Sequence, residues 1–214
     1  MALSPSGAKV YSAFHVNDII EKFGNLNEIY AFPCVCRHGK TLSESYCSFD
    51  MPRESCLGFG KTIKIWADMG YGRNISKEEA VEILKEVRDK GAVHSVLHER
   101  DDISLPVLAI CNCCWDCCAL LRPYNMGATA LTYNATYAAR IKEDANCKEC
   151  GNCVKYCPTA AMALKDGKVS LNGEKCIGCG QCAYQCKQNN IELYPDERRV
   201  YLPMLKKSEA RINT

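Results

Sequence analysis

Eight cysteines between Cys147 and Cys186 fall into two runs of identical spacing, Cys147-x2-Cys150-x2-Cys153-x3-Cys157 and Cys176-x2-Cys179-x2-Cys182-x3-Cys186. Three thiolates at three-residue intervals can wrap one face of an iron-sulfur cube if the chain loops tightly. Gly151, Gly178 and Gly180 permit that close approach. The fourth cysteine of each run then sits on a short helix pointing away. A pair of zinc knuckles would also use Cys-x2-Cys pairs. Two identical four-cysteine runs fit zinc poorly.

The other informative stretch is Cys111-Asn-Cys113-Cys114-Trp-Asp-Cys117-Cys118, with five cysteines in eight residues. Within it, Cys111, Cys114 and Cys117 repeat the three-thiolate grip, and one more thiolate from Cys34, Cys36, Cys47 or Cys56 would complete a third centre. A structural zinc ion, a redox dithiol or buried free thiols are the alternatives. Single buried thiols behave as small hydrophobes, but five together are hard to explain by packing. Arg37, His38, His94 and His98 are the polar groups beside these cysteines that catalysis would recruit.

The C-terminal runs resemble the bacterial two-cluster ferredoxins, over about Tyr137 to Pro195. Pro158 follows the first outlying cysteine as the family pattern asks, whereas Lys187 stands where the second proline would be. That proline shapes a turn and supplies no ligand. The resemblance implies two [4Fe-4S] clusters with exchanged fourth ligands: Cys147, Cys150, Cys153 and Cys186 on one, Cys176, Cys179, Cys182 and Cys157 on the other. The whole layout, with Cys-x-Cys-Arg and Cys-Asn-Cys-Cys ahead of such a module, resembles uncharacterised ferredoxin-like proteins of anaerobes and supplies no reaction.

With every corner of each cube taken by protein sulfur, the chemistry expected is electron transfer between redox partner proteins. Backbone amides of the glycine-rich loops are the expected donors to the cluster sulfurs. A third cluster in the N-terminal half would extend the pair into a short wire, and a zinc ion there would make that half a docking module. The alternative is a redox enzyme, or a subunit of one, in which an N-terminal metal site with an open position is catalytic and the ferredoxin module feeds it.

The fold that must position these groups reads as α+β. A cysteine-rich N-terminal α/β domain over 1–125 precedes a ferredoxin-like dicluster module over 137–195 with pseudo-two-fold symmetry, then a charged tail over 196–214. Val16 to Phe23 has helical spacing with Asn17 or Asp18 as cap, and a second helix is expected over Leu26 to Ala31. The cysteines at 34, 36, 47 and 56 are expected in loops bounded by Pro and Gly. Ser76 and Glu79 form a capping box for a helix to Lys90 with Ala80, Val81, Leu84 and Val87 on its apolar face. The segment at 94–98 reads as a strand, and Leu105 to Ile110 as a buried one.

Gly60-Lys61-Thr62 tempts a phosphate-loop reading. It fails because Ser55 stands where the loop needs glycine and because Thr62 to Ala67 alternates like a strand. In the module, Tyr137 to Glu143 is the outer strand, Asp166-Gly167 turns a hairpin, and Asn190 to Tyr194 pairs back onto the first strand. A short helix is expected after Pro203.

Composition bounds the rest. Seventeen cysteines in 214 residues, no basic or apolar leader near Met1 and no long apolar run point to metal ligands in a reducing cytoplasm, with no membrane span. The formal charge is +2, and two oxidised clusters of about −2 each would carry it to about −2. Nucleic-acid binding therefore has no support.

Overall fold

The computed structural model describes residues 8–11, 13–42, 46–99, 105–143 and 146–212. The sequence expectations at Leu105 and beyond, and at the tail, are read within those bounds. The strands are β1 (Ala8–Tyr11), β2 (Ile29–Pro33), β3 (Glu54–Phe59), β4 (Arg73–Asn74), β5 (Val93–His98), β6 (Val107–Cys113), β7 (Leu131–Ile141), β8 (Met162–Lys165), β9 (Lys168–Leu171) and β10 (Ile191–Leu202). Eight of them make one sheet in the order β10-β7-β1-β5-β6-β3-β2-β4, and β8 and β9 form a separate hairpin. The two long strands of the ferredoxin-like segment are thus also one end of the sheet that carries the N-terminal half.

The helices are α1 (Ala13–Gly24), α2 (Val35–Leu42), α3 (Gly60–Asp68), α4 (Lys77–Asp89), α5 (Leu121–Asn125), α6 (Asn152–Lys155) and α7 (Gln181–Tyr184). In α4 the Ser76 hydroxyl accepts the Glu79 amide at 3.1 Å, and Glu78 and Glu79 complement the helix N-terminus. Ala80, Leu84 and Val87 are buried, and Val81 is exposed, so the apolar face is narrower than expected. Val16, Ile20 and Phe23 of α1 join Ala80 and Leu84 over Ile29, Leu57 and Ile110 of the sheet. Each such aliphatic side chain contributes about 2 kcal/mol on burial.

Several local expectations are corrected. Helix α1 begins at Ala13, ahead of Asn17 and Asp18, which therefore do not cap it. Leu26 to Ala31 is not helical: Asn27 turns with φ 53° and the chain enters β2, flanked by β3 and β4. Pairing across the sheet outweighs the local helical spacing there. Thr62 to Ala67 lies in α3 and is not a strand. Only Ile63 on that helix is buried, while Ile65 and Trp66 are exposed, so its apolar residues do not mark a core stripe. The Ser55 objection to a phosphate loop stands, and the strand objection does not. Of the four N-terminal cysteines expected in loops, Cys36 is on α2 and Cys56 on β3.

In the C-terminal segment the hairpin forms as expected, with Asp166 at φ 50° and Gly167 at φ 74° in the mirror-image turn that suits twisted strands. β10 pairs antiparallel with β7 and runs on to Leu202, so residues 196–202, expected to open a charged tail, are strand. Leu205 beyond it is buried against Tyr124 and Leu131, and the short helix expected after Pro203 is a single 3₁₀ turn at Lys207–Glu209.

Candidate metal-sulfur centres

Each C-terminal run loops into a four-residue helix that follows a glycine in the left-handed region, Gly151 at φ 72° before α6 and Gly180 at φ 79° before α7. Gly178 is more constrained still. A Cβ there would fall on the Tyr137 carbonyl, so only glycine lets the second run lie against β7. Cys157, from the first run, lines one small cavity with Cys176, Cys179 and Cys182 of the second. Burial, then the neighbouring thiols of Cys157 and Cys176, pushes Cys179 up; burial with Cys179, Cys157 and Cys176 does the same to Cys182. Cys153 is raised by burial and by Cys147, Cys150 and Cys186.

Cys153, Cys179 and Cys182 thus resist ionising by themselves, and a cationic iron-sulfur core would supply the charge that makes them thiolates. The donor residues fit iron-sulfur ligation. The amides of Glu149, Ala161 and Asn190 donate to the sulfurs of Cys147, Cys157 and Cys186 at 3.4, 3.1 and 3.4 Å. None of these three is a glycine amide.

In the N-terminal half the structure divides the candidate third set. Cys47 Sγ lies 3.5 Å from Cys114 Sγ, and both converge with Cys117 and Asp116, all four ligand atoms lying within 4.8 Å of one another. A tetrahedral ion with metal-sulfur bonds of about 2.3 Å holds its thiolates about 3.8 Å apart, so this set fits one ion. Asp116 accepts from the Ser48 amide at 2.7 Å, from the Ser48 hydroxyl, and from Lys40 Nζ at 3.0 Å. Burial acts to raise this carboxyl, but those bonds outweigh it and hold it well below the usual carboxylate range. Cys111 is elsewhere. It lies on β6, where strand alternation turns it to the same side as Cys113.

Opposite Cys111 on β3 is Cys56, because Leu57 pairs with Ile110 in an antiparallel ladder. Sulfur contacts continue from Cys56 to Cys34, Cys36, Cys118 and Cys113 and back to Cys111, which closes a ring of six. Hydrogen bonds from both neighbours pull Cys34, Cys111 and Cys118 down, and the same bonds push Cys36, Cys56 and Cys113 up. All six line a cavity of about 740 Å³. Sequence reasoning missed this ring and Asp116. The signals available were Cys-x-Cys at 111–113 on a strand and again at 34–36.

Arg37 is buried beside the ring and donates to the carbonyls of Pro52 and Asn112 and to the Ser55 hydroxyl. His38 is exposed and lines the cavity. His94 is buried, donates from Nδ1 to Asn112 Oδ1 at 2.6 Å, and is held at about 4 by burial. His98 donates to the Leu105 carbonyl at 2.7 Å. Both are strand histidines with structural partners.

The comparisons agree with the C-terminal geometry. Residues 139–187 match a 4Fe-4S dicluster domain. Over 80 residues the chain is 35% identical to an uncharacterised ferredoxin of Methanocaldococcus jannaschii, covering 36% of this chain and 45% of that protein. Over 58 residues it is 40% identical to a formate dehydrogenase iron-sulfur subunit of Haemophilus influenzae, covering 26% and 18%. A formate dehydrogenase-O iron-sulfur subunit of Escherichia coli is 37% identical over 65 residues, 28% of this chain and 21% of that one. The chain spans less than half the length of these curated relatives. No solved structure matches it.

The dicluster domain is tied to the N-terminal half at a polar and aromatic seam. Gln181 Nε2 donates to the Ala92 carbonyl at 2.6 Å, Gln185 Nε2 to that of Asp89 at 3.1 Å, and Arg88 lies 4.6 Å from the Tyr184 ring centroid. Trp115, between Cys114 and Asp116, donates to the Lys155 carbonyl at 3.4 Å and carries the Arg211 guanidinium at 4.0 Å over its ring. Among the described residues no helix is long and apolar enough to cross a membrane.

Proposed function

We propose that this is an iron-sulfur electron-transfer protein with two [4Fe-4S] clusters in the dicluster domain, passing electrons between redox partner proteins. The ligands are Cys147, Cys150, Cys153 and Cys186 for one cluster and Cys176, Cys179, Cys182 and Cys157 for the other. The observation that carries this reading is Cys157 lining one cavity with the thiols of the other run. Exchange of the fourth ligand holds the two sites side by side. Each cluster supplies a one-electron site. The protein's own part is to fix the sites close together, to exclude water around the buried Cys157, Cys176 and Cys182, and to set potentials through amide donors such as Ala161.

In the same reading, Cys47, Cys114 and Cys117 with Asp116 hold a single zinc or iron ion. It clamps the segment at 46–48 onto the loop that carries Trp115, and so braces the seam with the dicluster domain. Anaerobic purification followed by iron and acid-labile sulfide determination tests the central part: about eight of each must stay with residues 139–187. A chain that holds zinc and no sulfide refutes it.

A further inference from the structure

Of the nine cysteines that precede Cys147, three converge on Asp116 and six form the ring. We propose that Cys34, Cys36, Cys56, Cys111, Cys113 and Cys118 together bind a polynuclear iron-sulfur centre that floors the cavity, separate from the Cys47 site and from both clusters of the dicluster domain. None of these six is a ligand in the reading above, so the two stand or fall separately.

The shape of the ring argues for several metals. Among the described residues only Cys47, Cys114, Asp116 and Cys117 converge to within 4.8 Å, the spread one ion can span. The six thiols instead surround a perimeter. Two strands, the start of α2 and the loop before α5 each contribute, and the paired β3 and β6 fix the placement of Cys56, Cys111 and Cys113. The amides of Ala119 and Leu120 donate to Cys36 and Cys118 at 3.4 Å, as they would to thiolate sulfur.

Charge supplies an independent argument. Arg37 is 4% exposed, its hydrogen-bond acceptors are neutral, and among the described residues no carboxylate pairs with it. A guanidinium buried without an anion is strongly disfavoured. The facing groups are the thiols of Cys34 and Cys56 in the ring and of Cys114 in the neighbouring Cys47 site, and metal centres that keep them as thiolates provide the missing negative charge, of which the ring's share comes from Cys34 and Cys56. Free thiols would not.

The surroundings suit a centre that works on something. Trp66, Met69 and Tyr71 line the cavity yet are more than half exposed, giving it an open apolar mouth. A cavity of about 740 Å³ is within the range that accepts a small molecule. On the far side, Cys113 and Cys118 share an apolar cluster with Tyr133 and with Cys179 of the dicluster domain, which puts the ring next to a source of electrons.

Metal content and spectroscopy of two double variants, prepared anaerobically as full chains, test the proposal. C47S/C117S should keep iron and sulfide in excess of the about eight of each that two cubanes account for. C113S/C118S should lose that excess and retain the reduced dicluster signal in electron paramagnetic resonance. The proposal is overturned if C47S/C117S carries no more than about eight irons and eight sulfides, whatever other metal it holds, or if C113S/C118S leaves the metal content of the wild type unchanged. Should C113S/C118S fail to fold, C47S/C117S decides, together with peptide mapping of the wild type: recovery of the six cysteines as disulfides would equally overturn it.

Discussion

Cys118 of the N-terminal half and Cys179 of the dicluster domain meet at the same buried tyrosine, Tyr133. Burial, then the nearby thiols of Cys118, Cys113, Cys111 and Cys179, drives the Tyr133 phenol well above its usual range, and its hydroxyl has no hydrogen-bond partner among the described residues. The phenol therefore stays neutral between two groups of cysteines that the sequence places far apart. The sheet makes that contact possible, since β7, which bears Tyr133, is shared by both halves.

Exchange of the fourth ligand is tested by Cys157→Ser. Because this cysteine stands with the second run, the variant should perturb the same cluster as Cys176→Ser, with loss of about one to four irons. Resonance spectra of the reduced proteins check this. A spectrum that matches Cys147→Ser instead would return Cys157 to its own run.

Gly178→Ala should destabilise the domain by about 2 kcal/mol or more, since a side chain at φ 70° is strained and its Cβ meets the Tyr137 carbonyl. Chemical denaturation with cluster absorbance as the probe measures it. The second run should lose its cluster first; unchanged stability would contradict the close approach to β7.

Asp116→Asn removes the charge that faces Lys40, in a pair whose side chains are 10% and 4% exposed, and leaves one carbonyl oxygen to accept from Ser48. Breaking such a buried pair costs about 3–5 kcal/mol. The variant should also release the ion held with Cys47, Cys114 and Cys117 while keeping the sulfide content. Zinc and iron analysis beside a urea melt separates the two effects.

His94 is held at about 4 by burial, with the Asn112 hydrogen bond only partly offsetting it. Its folded value lies below the unfolded value of about 6.5. Its contribution is therefore complete above about pH 6.5 and is lost as pH falls toward 4, by up to about 3 kcal/mol. Unfolding midpoints at pH 7 and pH 5 should differ more in the wild type than in His94→Gln. Equal slopes would show that His94 is not buried neutral.

Local chemistry was legible from the sequence, and assembly was not. The Ser76 cap of α4, the Asp166-Gly167 turn and the two cysteine runs are read within a few residues, because caps, mirror-image turns and three-residue ligand spacing are short-range, although Glu79, expected to complete a capping box, pairs with Arg73 instead. β2 was misread because its pairing with β3 and β4 is non-local. Ile65 and Trp66 misled because they face solvent rather than a core. The grouping of Cys111 with Cys114 and Cys117 rests on their three-residue spacing, whereas β6 extends to Cys113 and alternation takes Cys111 to the ring. Nothing local announces that Cys47 reaches Cys114 or that Cys56 faces Cys111.

A reductive titration of the anaerobic protein, followed by electron paramagnetic resonance, tests the central claim most directly. Two one-electron centres close enough to broaden each other's signals are predicted from the ligand sets of the dicluster domain. Fewer than two electrons taken up per chain, or two signals with no sign of interaction, would contradict the paired arrangement built on Cys157 and Cys186.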